Sequence, residues 1–510
     1  MIGEKKQIIK KTVQFILFCC LVLFIFSKVT YLFRETSCSR DNVTGFEKEG
    51  DLDVVCIGAS TMVEYFQPLT AWHEYGYTSY NYATLYGQMD LYWRYMDRVL
   101  ETHNPELFVV DLRMLATLNE EVYEQGLRFW TDSLPVFSKD RYLSLQDYFD
   151  RHLLSETDDK ISYYLDIAKY HTNTGALGSA DNWRYRNNRG KAKNKGYELS
   201  SVHHFFEEPV IDTGGKAELT QIQSEVLYQL LDYCREKDLN VLFVVCPYVV
   251  PQEDQKVYNT AKDIVASYGY QFINANEFYD EIGLDFSTDM KNINHVNSVG
   301  AEKYTGFLSE YIISHYDIAT HKGDASYLQW DEDYEVFSEE LEREKEKVYQ
   351  AVADKEDALA LAEYLSQSED FAEWSIGAEN ANYTVIACAN LEKCSLENVD
   401  AEGRHFLNFW GIPDSEDGHY LRISSGDEII AFEEQTDVID YSGRLGVIDG
   451  LGQVPCEVVI DDEVQLMVGG QQFSPIQGGV QLVLFDNNFK RVVDSPVLTV
   501  RPDGSICMVR

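Results

Sequence analysis

Basic residues are scarce in this chain. Lys and Arg total 43 against 85 Asp and Glu, a formal net charge of −42. A nucleic-acid binder needs a basic footprint, so that class is excluded. Paired-cysteine motifs are also missing. The ten cysteines are Cys19, Cys20, Cys38, Cys56, Cys234, Cys246, Cys388, Cys394, Cys456 and Cys507, and no two form a CxxC pair. That spacing argues against a zinc ribbon or a dense disulfide framework. It leaves open whether Cys388 and Cys394, or Cys456 and Cys507, are bridged. There is no internal repeat, and only one apolar run is long enough to cross a bilayer. What is present is core-forming material. Hydrophobic residues make up 45% and aromatics 13%, which excludes wholesale disorder. At about 150 residues per domain, the length allows roughly three domains.

The single long apolar run is Val13 to Phe33, preceded by Lys5, Lys6, Lys10 and Lys11. As a helix it is about 31 Å long, enough for a bilayer core. Lys28 lies near the outer end, where it can snorkel to the headgroups. A signal peptide would use Val13 to Phe26, but no small-x-small cleavage site follows. The expectation is an uncleaved anchor over residues 1–34. The four lysines place the N-terminus in the cytoplasm and the rest outside the cell membrane.

From Asp53 the pattern turns α/β. Val54 to Ile57, Leu107 to Leu112, Val241 to Cys246 and Gln271 to Ile273 read as buried parallel strands. Helical spacing covers Leu91 to Leu100, Leu219 to Lys237 and Val257 to Tyr268. Alternation of this kind predicts a parallel sheet covered on both faces over about 45–320. An insertion of about 120–215 interrupts it. The insertion holds Arg184, Arg186, Arg189, Lys191, Lys193 and Lys195, with no acid from Trp183 to Lys195. This run reads either as a solvated loop or as a contact for an anionic headgroup or polymer. Residues 331–370 read as a charged helical spacer rather than a core element. From Phe371 to the end helices are not expected. Short alternating segments at Tyr383 to Ala387, Glu457 to Ile460, Val464 to Val468, Val480 to Phe485 and Arg491 to Val493 predict a β-rich domain. Asp486-Asn487-Asn488 reads as a hairpin turn.

Two points carry candidate chemistry. Ser60 directly follows the first strand, in Gly58-Ala59-Ser60-Thr61. Ligands of open parallel sheets bind beyond the carboxyl ends of the strands. A hydroxyl at that position, beside free backbone N–H groups, suits a nucleophile and an oxyanion site. His295 stands in Asn292-Ile293-Asn294-His295-Val296-Asn297, ahead of a helix from Ala301 to Ile313. Each alone has an ordinary reading, as a cap or a structural histidine. Together they place a hydroxyl and an imidazole at the two ends of one α/β region, where a fold can bring them to the same rim.

These residues resemble the SGNH/GDSL hydrolase superfamily. The resemblance rests on Asp53 to Ser60, Tyr80-Asn81-Tyr82-Ala83, Pro105 to Val110, Pro247-Tyr248, His295-Val296-Asn297 and Gly300 to Tyr304. More narrowly the chain is similar to the membrane-anchored branch of Gram-positive bacterial envelopes, in the style of D-alanyl-lipoteichoic-acid transfer and alginate-acetylation proteins. The resemblance implies an SGNH (flavodoxin-like) three-layer parallel sheet, with Ser60 as nucleophile and His295 as general base. It implies an acid three residues before the histidine, where this chain has Asn292. Loss of the comparable carboxylate in a serine protease costs about 10⁴ in turnover. Three readings follow: a Ser–His pair oriented by Asn292, a triad completed by Asp289 (with Asp285 a weaker substitute), or a degraded site. Oxyanion donors would be the Ser60 N–H with Gly87, Gln88 or Asn81. Asp111 and Arg113 end a central strand at the same rim, either in the site or as a structural ion pair.

The implied activity is that of a serine esterase or O-acyltransferase on acyl esters of cell-surface polysaccharide. No cofactor or metal is needed, and a multispanning membrane acyltransferase is an implied partner. The alternative is a non-catalytic glycan-binding or scaffold protein of the same fold. In the tail, Gly478 to Asp486 with Val492 to Ser495 resembles the end of an interleukin-like (ILEI-type) domain. That implies glycan or partner binding. His405, Trp410 and His419 read as packing or surface residues.

Overall fold

A computed structural model describes residues 2–34, 37–153, 160–178, 192–368, 371–379, 382–394, 396, 399–412, 418–426, 428–435, 437–446, 453–473 and 479–510. The chain forms two compact units. One comprises 1–203 and 207–348, the other 204–206 and 349–510.

The first unit is built on a five-stranded parallel sheet of order β2-β1-β3-β4-β5. Its strands are β1 (Val54–Gly58), β2 (Ser79–Ala83), β3 (Leu107–Asp111), β4 (Val241–Val245) and β5 (Gln271–Asn274). Every residue of the first four is buried, as continuous runs such as VVCI and LFVV require in a sheet covered on both faces. Strand β2, SYNYA, was not expected as a strand. It pairs with β1 from Val54–Ser79 to Gly58–Ala83. The order reverses direction at β1 and β3, so the ligand crevice of such a sheet lies beyond their carboxyl ends.

After β5 the chain makes a short hairpin, β6 (Met290–Asn292) and β7 (His295–Val296). It then enters the helix Ser298–His315, capped by Asn297, whose Oδ1 accepts the Val299 and Gly300 N–H groups. A Cβ at Gly300 would lie 2.8 Å from the Asp289 carbonyl oxygen, so only glycine lets hairpin and helix approach this closely.

The helix Ile2–Phe33 is, among the described residues, the one long and apolar enough to cross a membrane. Its apolar span is Ile9–Phe33, with mean hydropathy 2.3. The insertion is not a bare loop. It contains the helices Glu124–Thr131, Lys139–Phe149, Lys160–Tyr164 and Asp166–Tyr170. Arg184, Arg186, Arg189 and Lys191 lie outside the described residues. Lys193 pairs with Glu340, and Lys195 is buried, donating to Asp333 at 2.6 Å and Glu49 at 3.2 Å. Lys195 is therefore a core ion-pair residue, not part of a solvated or polymer-binding run.

The expected spacer also departs from its reading. Helix Leu328–Leu365 buries Trp330, Phe337, Leu341 and Val348 in the first unit, and Ala358, Ala362 and Leu365 in the second. Its apolar residues recur at helical intervals, which a dense charge pattern masked.

The second unit stacks a seven-stranded sheet against a four-stranded one. The central pair is β8 (Tyr383–Asn390) and β15 (Val480–Asp486). The other strands are β9 (His419–Ser425), β10 (Glu428–Gln435), β11 (Ile439–Leu445), β12 (Val454–Ile460), β13 (Val464–Val468), β14 (Gln471–Phe473), β16 (Arg491–Asp494), β17 (Val497–Val500) and β18 (Ile506–Val509). The larger sheet has the path β10-β9-β8-β15-β17-β18, with β16 paired to β15; the smaller is β11-β12-β13-β14. Along the central pair, side chains alternate between two cores: Val385, Ala387, Leu482 and Leu484 on one face, Ile386, Cys388, Val483 and Phe485 on the other. Contrary to expectation, helices persist past Phe371, at Phe371–Ala378 and Ala401–Phe409. Trp374, within the first, and Trp410, just after the second, insert into the first core. The Asp486 carboxylate accepts the Asn488 and Phe489 N–H groups at the β15–β16 turn. All ten cysteines are free.

Candidate active site

Strand β1 ends at Gly58, Ala59 stays extended, and Ser60 opens the short helix Ser60–Tyr65. A Cβ at Gly58 would lie 2.7 Å from Met62 Cγ and 3.2 Å from Asp111 Cβ. A Cβ at Gly87 would lie 2.6 Å from the Gly58 carbonyl oxygen. These two glycines let the loop after β2 and the end of β3 close around the turn bearing Ser60. The Thr61 hydroxyl donates to the buried Asp111 carboxylate. The other Asp111 oxygen accepts the Arg113 N–H at 3.1 Å. Among the described residues nothing accepts the N–H of Ser60 or Thr61.

His295 lies 235 positions away in the chain, yet its Nε2 is 2.8 Å from Ser60 Oγ. Its Nδ1 is 3.1 Å from Asn292 Oδ1. The same oxygen accepts the Asn294 backbone N–H at 2.8 Å. A backbone N–H can only donate, so the shared atom is the amide oxygen and not its nitrogen. The imidazole nitrogen facing that oxygen must then carry the proton. Nε2 is left with a lone pair directed at the Ser60 hydroxyl, which is the tautomer a general base needs. Burial lowers the His295 pKa well below its usual value, and the Arg113 and Lys291 charges lower it further. The ring is neutral at physiological pH.

The hairpin is held from three sides. Arg113 donates to both the Asn294 carbonyl oxygen and its side-chain oxygen, the second at 2.7 Å. Tyr65 OH donates to the same carbonyl at 2.9 Å. Val249 N–H donates to Ile293 O at 3.2 Å. The Arg113 guanidinium lies over the Tyr248 ring, 3.8 Å from its centroid. Arg113 and Asp111 therefore do not form the isolated ion pair that was one reading of them. One supports the serine turn and the other supports the histidine hairpin.

Other expectations are corrected. Asp289 does not reach the imidazole. Its Oδ2 accepts the Asp285 N–H at 2.7 Å and Lys303 Nζ at 2.6 Å, and burial raises its pKa. The tight hairpin presents the residue three before the histidine, not the one six before. Asp285 is occupied by Ser287 and Thr288. Asn81 gives both amide hydrogens to carbonyls, Met62 O at 2.8 Å and Phe66 O at 2.7 Å, so it organises the short helix and has none left for an oxyanion. Gly87 N–H donates to Thr84 O at 3.1 Å. Gln88 donates to Tyr86 O and accepts from Tyr148 OH. The N–H groups of Ser60 and Thr61 find no acceptor among the described residues, and Gln88 Nε2 keeps one hydrogen after bonding Tyr86 O; these are the donors left for an oxyanion.

Beside Gly87 opens a cavity of about 270 Å³ lined by Tyr86, Gln88, Met114, Leu118, Val122 and Tyr123 among others. Ser60 and His295 are not in its lining. Among the described residues no cluster of His, Cys, Asp and Glu suits a metal. Sequence reasoning missed Thr61, Tyr65, Val249 and Asn294. Thr61, adjacent to Ser60, and Asn294, adjacent to His295, carried a local signal; Tyr65 and Val249 carried none. No family model matches the chain, and no curated protein or solved structure matches it significantly.

Proposed function

We propose that the chain is a membrane-anchored, extracytoplasmic serine esterase or O-acyltransferase of the SGNH type, acting on acyl esters of a cell-surface polysaccharide. The observation that carries this reading is the Ser60–His295–Asn292 relay, with the imidazole in the base tautomer. Ser60 Oγ attacks the acyl carbonyl as its proton passes to His295 Nε2. The Ser60 and Thr61 N–H groups face the oxyanion, which carries the negative charge of the tetrahedral intermediate. His295 then protonates the leaving alkoxide, giving an acyl-serine and a free alcohol. Water or a glycan hydroxyl, deprotonated by His295, releases the acyl group. A multispanning acyltransferase is the proposed acyl donor partner, and the helix Ile2–Phe33 the anchor. The second unit is the proposed glycan- or partner-binding module.

A second reading has support from Asn292 itself. A neutral amide orients the ring but offers no charge to the imidazolium, which suits a scaffold that retains the fold without turnover. A fluorophosphonate probe separates the two. Catalysis requires that the full chain be labelled and that Ser60→Ala and His295→Ala abolish labelling. A folded wild type that stays unlabelled and cleaves no acyl ester sinks the enzyme and leaves the scaffold.

A further inference from the structure

The N-terminal helix changes its surroundings part-way along. Phe15, Leu17, Phe18, Phe24 and Ile25 are all more than half exposed. Phe26 is half-buried, and Thr30, Leu32 and Arg34 are buried in protein. Arg34 donates to Asp132 O at 2.7 Å, to Leu134 O at 2.6 Å and to the Asp166 carboxylate. Asn173 donates to Phe33 O at 3.0 Å. The end of the helix is thus enclosed by the insertion. Main-chain carbonyls and ion pairs do not enter hydrocarbon, so the outer edge of a bilayer cannot lie as far along as Phe33. It falls near Phe26 to Lys28. Between Lys11 and Lys28, each able to snorkel to its headgroup layer, the helix rises about 26 Å, close to the hydrocarbon thickness.

At that level the insertion presents an aromatic side chain outward. The Phe137 ring stacks on Phe26 with centroids 6.2 Å apart, yet Phe137 is 57% exposed. Leu165, beside the buried Asp166 that holds Arg34, is 48% exposed. We propose that the 133–138 loop rests in the boundary between phospholipid headgroups and acyl chains, with Phe137 inserted beside Phe26, so that the insertion forms a collar seated on the bilayer. The proposal rests on the membrane-anchored reading and adds to it. The anchor alone allows a domain floating on a tether. A collar sets one face of the first unit against the lipid.

The test uses the full chain in phosphatidylcholine vesicles, with an environment-sensitive fluorescent amino acid replacing Phe24 or Phe137. Acyl chains carrying a doxyl quencher near the headgroup are compared with unlabelled lipid. The collar requires quenching of at least about twofold at position 137 as well as at position 24. Quenching at 24 with none at 137 overturns the collar and leaves the anchor standing. No quenching at either position overturns both.

Discussion

Two arginines hold two regions of the first unit, and they do so differently. Arg34 closes the insertion over the N-terminal helix, and Arg113 closes the histidine hairpin over the sheet. Both spend their guanidinium hydrogens on main-chain carbonyls. Arg34 also meets the Asp166 carboxylate, and both side chains are fully buried. Arg113 has no carboxylate within 4 Å among the described residues, and its charge acts on what surrounds it. That charge is one reason the His295 ring stays neutral. A compensated arginine acts as a rivet. One without a carboxylate in direct contact positions its neighbour and also sets its electrostatics.

Removing each separates the two roles. Arg34→Ala leaves Asp166 buried and its shared partner Arg141 to carry it alone. A loss of about 3–5 kcal/mol is expected, read as a lower denaturation midpoint of the full chain in detergent, with labelling of the surviving folded fraction unchanged. Arg113→Ala frees Asn294 while most of the hairpin's other contacts remain. Small displacements of a positioned base cost about 10² in rate, so probe labelling should slow by about that factor. Arg113→Lys restores charge without the paired donation and should recover little of it. Equal recovery by lysine would show that charge, not geometry, carries the effect.

Asn292→Asp tests the electrostatic half. A carboxylate there favours the imidazolium, raises the His295 pKa and is expected to speed labelling about tenfold. In the wild type the acid limb of the rate profile should lie well below pH 6.5, because the base loses its lone pair only as pH falls through the lowered pKa. The aspartate variant should move that limb upward. The same depressed pKa links to stability. Above the unfolded value of about 6.5 its contribution is complete, and it is lost as pH falls from there towards the native value. The smallest expected effect is that of Asp289→Asn. Labelling should stay within about twofold, since Asp289 bonds to Lys303 and the Asp285 N–H and not to the ring. A rate collapse in a folded variant would return Asp289 to the mechanism.

The parts legible in the sequence were those with a strong local signature. Apolar runs marked four strands of the parallel sheet, and Ser60 and His295 stood at chain positions where a sheet delivers side chains to its rim. Strand β2 was hidden because Ser79, Asn81 and three aromatic or small residues lack the aliphatic run of its neighbours. Asn81 looked like a donor to substrate, because nothing linear shows that two helix carbonyls already take its hydrogens. Asp289 drew attention through its charge, yet the sharp Ile293-Asn294 turn brings only Asn292 back to the ring. Arg113, Tyr65 and Val249 come from three separate segments, and only the folded sheet brings them to one turn.

One oxygen, Asn292 Oδ1, accepts both the turn amide of Asn294 and the imidazole of His295. Turn and ring therefore share a single pivot. A change that displaces the turn displaces the base as well, without touching the serine.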